Sequence, residues 1–165
     1  MTESVFIETT IPSYYVARRA RDIVQAARQQ LTIEWWDRHR TRYELLSSQI
    51  VLDELARGEE AMAESRLKLL AGVPLLVINE SVIEIAEELL RDGVVPPKAA
   101  DDAFHIACAG VHRVDYLLTW NCTHIANPHN RHRIERCFAR HRITMPVICT
   151  PEEFIGDDYE DGNQL

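Results

Sequence analysis

Short apolar runs alternate with longer segments of helical period along this chain. Five runs read as strands: "VFI" at 5–7, "QIVL" at 49–52, "PLLVI" at 74–78, "DYLLT" at 115–119 and "PVICT" at 146–150. They are rich in Val, Ile and Leu and lack clean polar alternation, which is the pattern of strands buried on both faces of a parallel sheet. Between them, "SVIEIAEELLRDG" sets Val82, Ile85, Ala86 and Leu89 on one stripe and stops at Gly93. "AADDAFHIACAGV" is small and apolar nearly all round, which predicts a central buried helix. "HNRHRIERCFARHR" is polar with a narrow apolar seam at Ile134, Cys137 and Phe138. The span from Ser13 to Tyr43 predicts one or two helices, with Trp35 and Trp36 packing inward. Strands alternating with helices predict an α/β fold: a three-layer α/β/α sandwich on a central parallel sheet of about five strands.

A length of 165 residues suits one domain with one core, placed at 1–156. Residues 157–165, rich in Asp and Gly, predict an acidic mobile tail. No apolar run approaches the roughly 20 residues that a membrane-spanning helix needs. No basic segment followed by an apolar stretch opens the sequence, so the expectation is a cytoplasmic protein without membrane contact. Cys108, Cys122, Cys137 and Cys149 form no C-x-x-C pair and read as reduced thiols. The span from Cys122 to Cys137 also holds His124, His129 and His132, which raises zinc. The close ligand pairs of structural zinc sites are missing, and histidines beside arginines read more simply as a solvated face.

The net charge is −8, whereas a protein that grips nucleic acid mainly through basic charge leans the other way. The charge is uneven. Arg131, Arg133, Arg136, Arg140 and Arg142 crowd one segment, and Arg18, Arg19, Arg21 and Arg28 form a second. Each reads first as a solvated helix face and second as a surface for an RNA backbone or an acidic partner.

The acids fall at particular places on this frame. Glu8 follows the first strand, Asp53 and Glu54 follow the second expected strand, and Asn121 follows the fourth. Asp101 and Asp102 open the small-residue helix that precedes the fourth strand. Open parallel sheets bind ligands beyond the carboxyl ends of their strands. Each acid alone has a plain explanation: helix capping, the helix dipole or simple exposure. Together they read as oxygen ligands that the fold would bring from distant segments to one edge, and converged carboxylates repel unless a cation neutralises them. All-oxygen ligation favours Mg²⁺ or Mn²⁺.

At this point the chain resembles the PIN-domain ribonucleases, especially the toxins of type II toxin–antitoxin pairs (VapC-like). "VFIETTIPSYY" resembles the opening strand and first acid, "SSQIVLDELARG" the second-acid segment, "DDAFHIACA" the third-acid helix and "LLTWNCTHIAN" the fourth-strand exit. "VICTPEEFIG" resembles the last strand and the turn after it. The likeness spans nearly the whole chain. It implies Glu8, Glu54 and Asp102 as metal ligands and catalytic acids, with Asn121 as a fourth site residue. Two positions depart from the family pattern: Glu8 stands where the family usually has Asp, and His124 stands where a further Asp is common.

The resemblance implies metal-dependent hydrolysis of RNA phosphodiesters. A bound Mg²⁺ or Mn²⁺ would polarise the phosphate and activate water, and a second ion would stabilise the leaving oxygen. Thr9, Thr10 and Thr119 are candidates to orient the carboxylates. His105, one turn after Asp102, reads as a packed core histidine rather than a proton carrier. Trp120 either stacks on a base or walls the pocket. Glu8→Asp is expected to keep or raise activity. An antitoxin and a second copy of the chain are the expected protein partners, beside RNA as substrate. The alternative is a PIN-fold binding module that is weak or inactive as a catalyst. A third reading, another phosphate-processing enzyme with an acid nucleophile, has no Gly-rich loop or Ser-centred elbow behind it.

Overall fold

Ser4–Ile7 forms β1, the central strand, and all four residues are buried. In this computed structural model, which describes residues 1–156, four further strands lie parallel to it: β2 (Glu44–Ser48), β3 (Leu75–Leu76), β4 (Tyr116–Leu118) and β5 (Val147–Cys149). Their order across the sheet is β3-β2-β1-β4-β5. The acidic segment expected at 157–165 lies outside the described residues.

Among the described residues, eight α-helices connect and cover the strands: α1 (Thr10–Val16), α2 (Ile23–Glu34), α3 (Gln49–Leu55), α4 (Glu60–Leu69), α5 (Glu80–Arg91), α6 (Ala100–Val111), α7 (Pro128–Arg140) and α8 (Pro151–Ile155). The result is the expected three-layer α/β/α sandwich. α6 packs on α5 and α3, α5 also meets α7, and α2 packs on α1 and α8.

The helices obey the periods that their sequences carry. Val82, Ile85, Ala86 and Leu89 of α5 are all buried, and Asn79 caps the helix by accepting from Val82 N at 3.0 Å. Ile134, Cys137 and Phe138 form the buried stripe of α7. α6 buries seven of its twelve residues. Trp35 and Trp36 do turn inward, on a single π-helical turn (Trp35–His39) that continues α2.

The second strand is displaced from its expected place. "QIVL" at 49–52 opens α3, and the strand is the preceding "ELLSS". A four-residue apolar run cannot by itself distinguish a buried strand from a buried helical turn. Here Ser48 decides, because its side chain accepts from Val51 N at 3.4 Å and caps the helix. Val51 and Leu55, four apart, then supply the buried face of α3. Glu54 accordingly reaches the sheet edge from inside a helix. β3 is also shorter than expected. Only Leu75 and Leu76 pair with β2, and Val77 just beyond is 68% exposed, as befits an edge strand.

Among the described residues, no helix is long and apolar enough to cross a membrane.

Candidate functional site

The strand order reverses between β1 and β4, since β2 and β3 extend to one side of β1 and β4 and β5 to the other. That is the topological switch point, where the carboxyl ends of neighbouring strands open a crevice. Ile7 pairs with Leu118, so Glu8 and Thr119 leave the sheet side by side. Glu8 N still donates to Leu118 O at 3.3 Å, and Thr119 N donates to Cys149 O at 3.0 Å.

Glu8 is only 2% exposed. Its Oε2 accepts three hydrogen bonds: Thr10 N at 3.0 Å, Thr10 Oγ1 at 2.5 Å and Thr119 Oγ1 at 2.8 Å. The two hydroxyls have fixed directions. Trp120 N donates to Thr10 Oγ1 at 2.8 Å and Asn121 N donates to Thr119 Oγ1 at 2.9 Å, so each hydroxyl proton is left to point at Glu8. Burial pushes the Glu8 carboxyl above its ordinary range, while nearby His105 and the threonine bonds pull the other way.

Asp102 stands in the first turn of α6. Burial raises its carboxyl as well, against a hydrogen bond from the Asn121 side chain and the field of His105. The Asn121 amide is oriented by its other end, where Oδ1 accepts from His124 N at 3.0 Å. That leaves the amide nitrogen for Asp102.

Glu54 of α3 accepts from Thr9 Oγ1 at 2.9 Å and meets His105 Nε2 at 2.5 Å, both on Oε1. Burial is the largest single influence and disfavours its charge, but the His105 bond and charge, the Thr9 hydroxyl and the Arg57 charge together outweigh it and hold Glu54 below the ordinary carboxylate range. His105 itself is fully buried. Burial alone would lower its pKa. The Glu54 bond and the charges of Glu8 and Asp102 outweigh that and raise it, which favours an imidazolium among three carboxylates.

The four sequence-predicted residues therefore share one edge, and the three threonines serve them. Glu8, Asp102 and His105 each offer one ligand atom within 4.8 Å of the others. Glu54 is tied in through His105 rather than standing in that group. Asp53 instead accepts from Gln49 at 2.9 Å, and Asp101 pairs with Arg57 at 3.4 Å. Asp53 lies outside the group, while Asp101 lines the same cleft as Glu54 and Asp102 and is held there by Arg57. His105 is the packed, hydrogen-bonded core histidine that the sequence suggests, and its three-residue step from Asp102 puts both on one face of α6, which brings it into the group as well.

The donor set suits a divalent cation. Glu8 and Asp102 supply hard oxygens, and the His105 ring, once neutral, lies within reach as a further ligand. A cleft of about 450 Å³ opens at Glu54 and Asp102 and is walled by Arg57, Lys98 and Pro97.

Other candidates resolve plainly. Trp120 is 5% exposed, its indole N–H donates to Thr32 Oγ1 at 2.7 Å, and Arg28 covers its ring at 5.2 Å. It is a wall, with no open face for a base. Much of the basic helix α7 is spoken for: Arg131 donates to Ile148 O, Arg133 to Asp92 O, and Arg140 to Glu88 and Asp92. All four cysteines are free. His129 and His132 lie exposed on α7, and Cys122 is exposed while Cys137 is buried, so that stretch forms no common metal group. No protein-family model matches the chain, and neither does any curated protein.

Proposed function

We propose that this protein is a metal-dependent ribonuclease of the PIN type, hydrolysing RNA phosphodiester bonds with Mg²⁺ or Mn²⁺. The observation that carries the reading is the meeting of Glu8, Asp102 and His105 at the switch point of a parallel sheet, with Glu54 held beside them. The resemblance of the four motifs to PIN ribonucleases supports the same chemistry.

In this reading Glu8 and Asp102 hold the ion, and Glu54 either joins them or orients the attacking water. Bound Mg²⁺ or Mn²⁺ would supply positive charge at the scissile phosphate and acidify that water. Thr10 and Thr119 fix the Glu8 carboxylate before substrate arrives, so no reorganisation is needed at the moment of reaction. Asn121 steadies Asp102. His105 holds Glu54 in place and limits repulsion within the cluster. Lys98 and Arg57 are exposed on the adjoining cleft, where they meet the flanking phosphates of the RNA. The toxin role, an antitoxin or second copy as protein partner, and a cytoplasmic location rest on the resemblance and the sequence alone.

A second reading, a PIN-fold binding module without catalysis, has one observation in its favour. The surrounding carboxylates raise the pKa of His105 and so favour its protonated form, which would balance the acids as an ion would. RNA cleavage by the purified protein separates the two readings. Cleavage that EDTA stops and Asp102→Ala abolishes is expected. Cleavage indifferent to both overturns the metal mechanism. Absence of cleavage together with absence of Mn²⁺ binding in calorimetry favours the binding module.

A further inference from the structure

A second group of metal-ligating side chains lies on the seam between α5 and α7, apart from the carboxylate cluster. Glu88 comes from α5. Cys137 lies on α7, and His141 is the residue that caps the end of α7. His141 stands four positions after Cys137, so both face the same neighbour. One ligand atom from each of the three lies within 4.8 Å of the other two.

The carboxylate of Glu88 is divided between two tasks. Oε1 accepts from Arg140 Nε at 2.6 Å, while Oε2 lies 2.5 Å from His141 Nε2. Arg140 is fixed in turn by Asp92 Oδ2 at 2.8 Å. A guanidinium thus anchors the outer oxygen, and the inner one is presented beside a thiol and an imidazole. The site is sheltered: Cys137 is 1% exposed, and the Glu88 and His141 side chains are 14% and 23% exposed. Carboxylates that ligate metals are commonly held in this way by an outer partner.

We propose that Glu88, Cys137 and His141 form a zinc site, with water as the fourth ligand. Thiolate, imidazole and carboxylate together are a zinc donor set, whereas Mg²⁺ and Mn²⁺ prefer oxygen alone. Zn²⁺ would take the place of the hydrogen bond between Glu88 and His141, with the neutral His141 ring keeping its proton on the nitrogen that does not ligate, and Cys137 would enter as the thiolate, its proton released to solvent. The ion would clamp the C-terminal end of α7 onto α5. Without an ion, the same residues make a hydrogen-bonded latch, and that is the competing account.

Cobalt distinguishes the two. The full chain, stripped with EDTA, is titrated with Co²⁺ and followed by its thiolate-to-cobalt charge-transfer absorption. The Glu8–Asp102–His105 group contains no thiol, so cobalt bound there does not contribute to this band. The expected result is a band that saturates at one equivalent, is displaced by Zn²⁺ and is lost in Cys137→Ser. Because Cys137 is buried, that variant carries a folding risk, so His141→Gln is the second test. It should weaken binding by about tenfold or more while far-UV circular dichroism stays unchanged. No charge-transfer band, a band that survives Cys137→Ser, or unchanged affinity in His141→Gln overturns the zinc site and leaves the latch.

Discussion

His105 Nε2 lies 2.5 Å from Glu54 Oε1, across 51 residues of sequence, and one helical turn along α6 from Asp102. The pair joins α6 to α3, and the acids around His105 raise its pKa and so favour a counter-ion in their midst. Removing one partner of a buried ion pair strands the other, at a cost of about 3–5 kcal/mol. His105→Gln, which keeps most of the volume, should therefore lower stability by about 3 kcal/mol in EDTA-treated protein. Added Mn²⁺ should then raise the melting temperature of the variant more than that of the wild type, since an ion replaces the lost charge. Equal Mn²⁺ shifts in the two proteins would rule out His105 as the internal counter-ion.

Glu8→Asp tests the threonine cradle. In the sequence, the extra methylene of Glu8 looks like a departure that shortening would repair. The structure argues the other way. Thr10 and Thr119 each accept a backbone N–H and each direct a hydroxyl at Glu8 Oε2, so the cradle is built to the length of a glutamate. An aspartate withdraws from both hydroxyls. Mn²⁺ affinity, read by calorimetry, should fall by about 10–100-fold, the usual range when the partners that orient a metal ligand are lost. Thr119→Val should act in the same direction. Affinity unchanged or raised in Glu8→Asp would show that the threonines do not set the geometry.

The fold class, most of the helices and the placing of Glu8, Asp102 and Asn121 at one edge were legible because each rests on a local signal. The α5 stripe of Val82, Ile85, Ala86 and Leu89 is a helical period, and Glu8, Asp102 and Asn121 stand at element boundaries that short apolar runs and prolines mark. The displaced second strand shows the limit. "ELLSS" has a glutamate and two serines, and it is a strand only because Ser47 Oγ bonds Ile7 O and its backbone pairs with β1 and β3. Those partners are distant in sequence, so no local period encodes them. The partner of His105 was hidden for the same reason. A histidine on an apolar helix looks like packing until Glu54 arrives from α3, and that arrival is set by Ser48 capping a helix where a strand was expected.

Asp115 governs part of the acid stability. Its Oδ2 accepts from Ser4 N at 2.7 Å and Ser4 Oγ at 2.8 Å, which ties the start of β4 to the start of β1. These bonds hold the Asp115 carboxyl below its ordinary value of 3.8. A depressed pKa in the folded state adds stability that is fully present above the unfolded value and is lost as pH falls through the folded one. Asp115→Asn should therefore be less stable than wild type at neutral pH, and the gap should narrow as pH drops below about 4. Melting temperatures of both proteins across acid pH give the comparison. A gap that stays constant down to the acid limit would mean that ionised Asp115 contributes nothing.

Gly110 lets α7 approach α6. A Cβ added there would lie 2.2 Å from Phe138 Cε1 and 2.3 Å from Cζ, far inside contact distance. Phe138 is fully buried and belongs to the apolar stripe of α7, so it has no open space to turn into. The glycine is helical, with no positive φ, and Ala would otherwise favour the helix by about 0.8–1.0 kcal/mol. Sterics should win over propensity. Gly110→Ala should destabilise the protein by about 1–3 kcal/mol, the range for overpacking a dense core. Phe138→Leu makes room, so the double variant should lose less than the sum of the two single variants. Chemical denaturation of the four proteins measures this coupling. Strict additivity would mean that α7 shifts to accept the methyl, and that Phe138 does not fix its distance from α6.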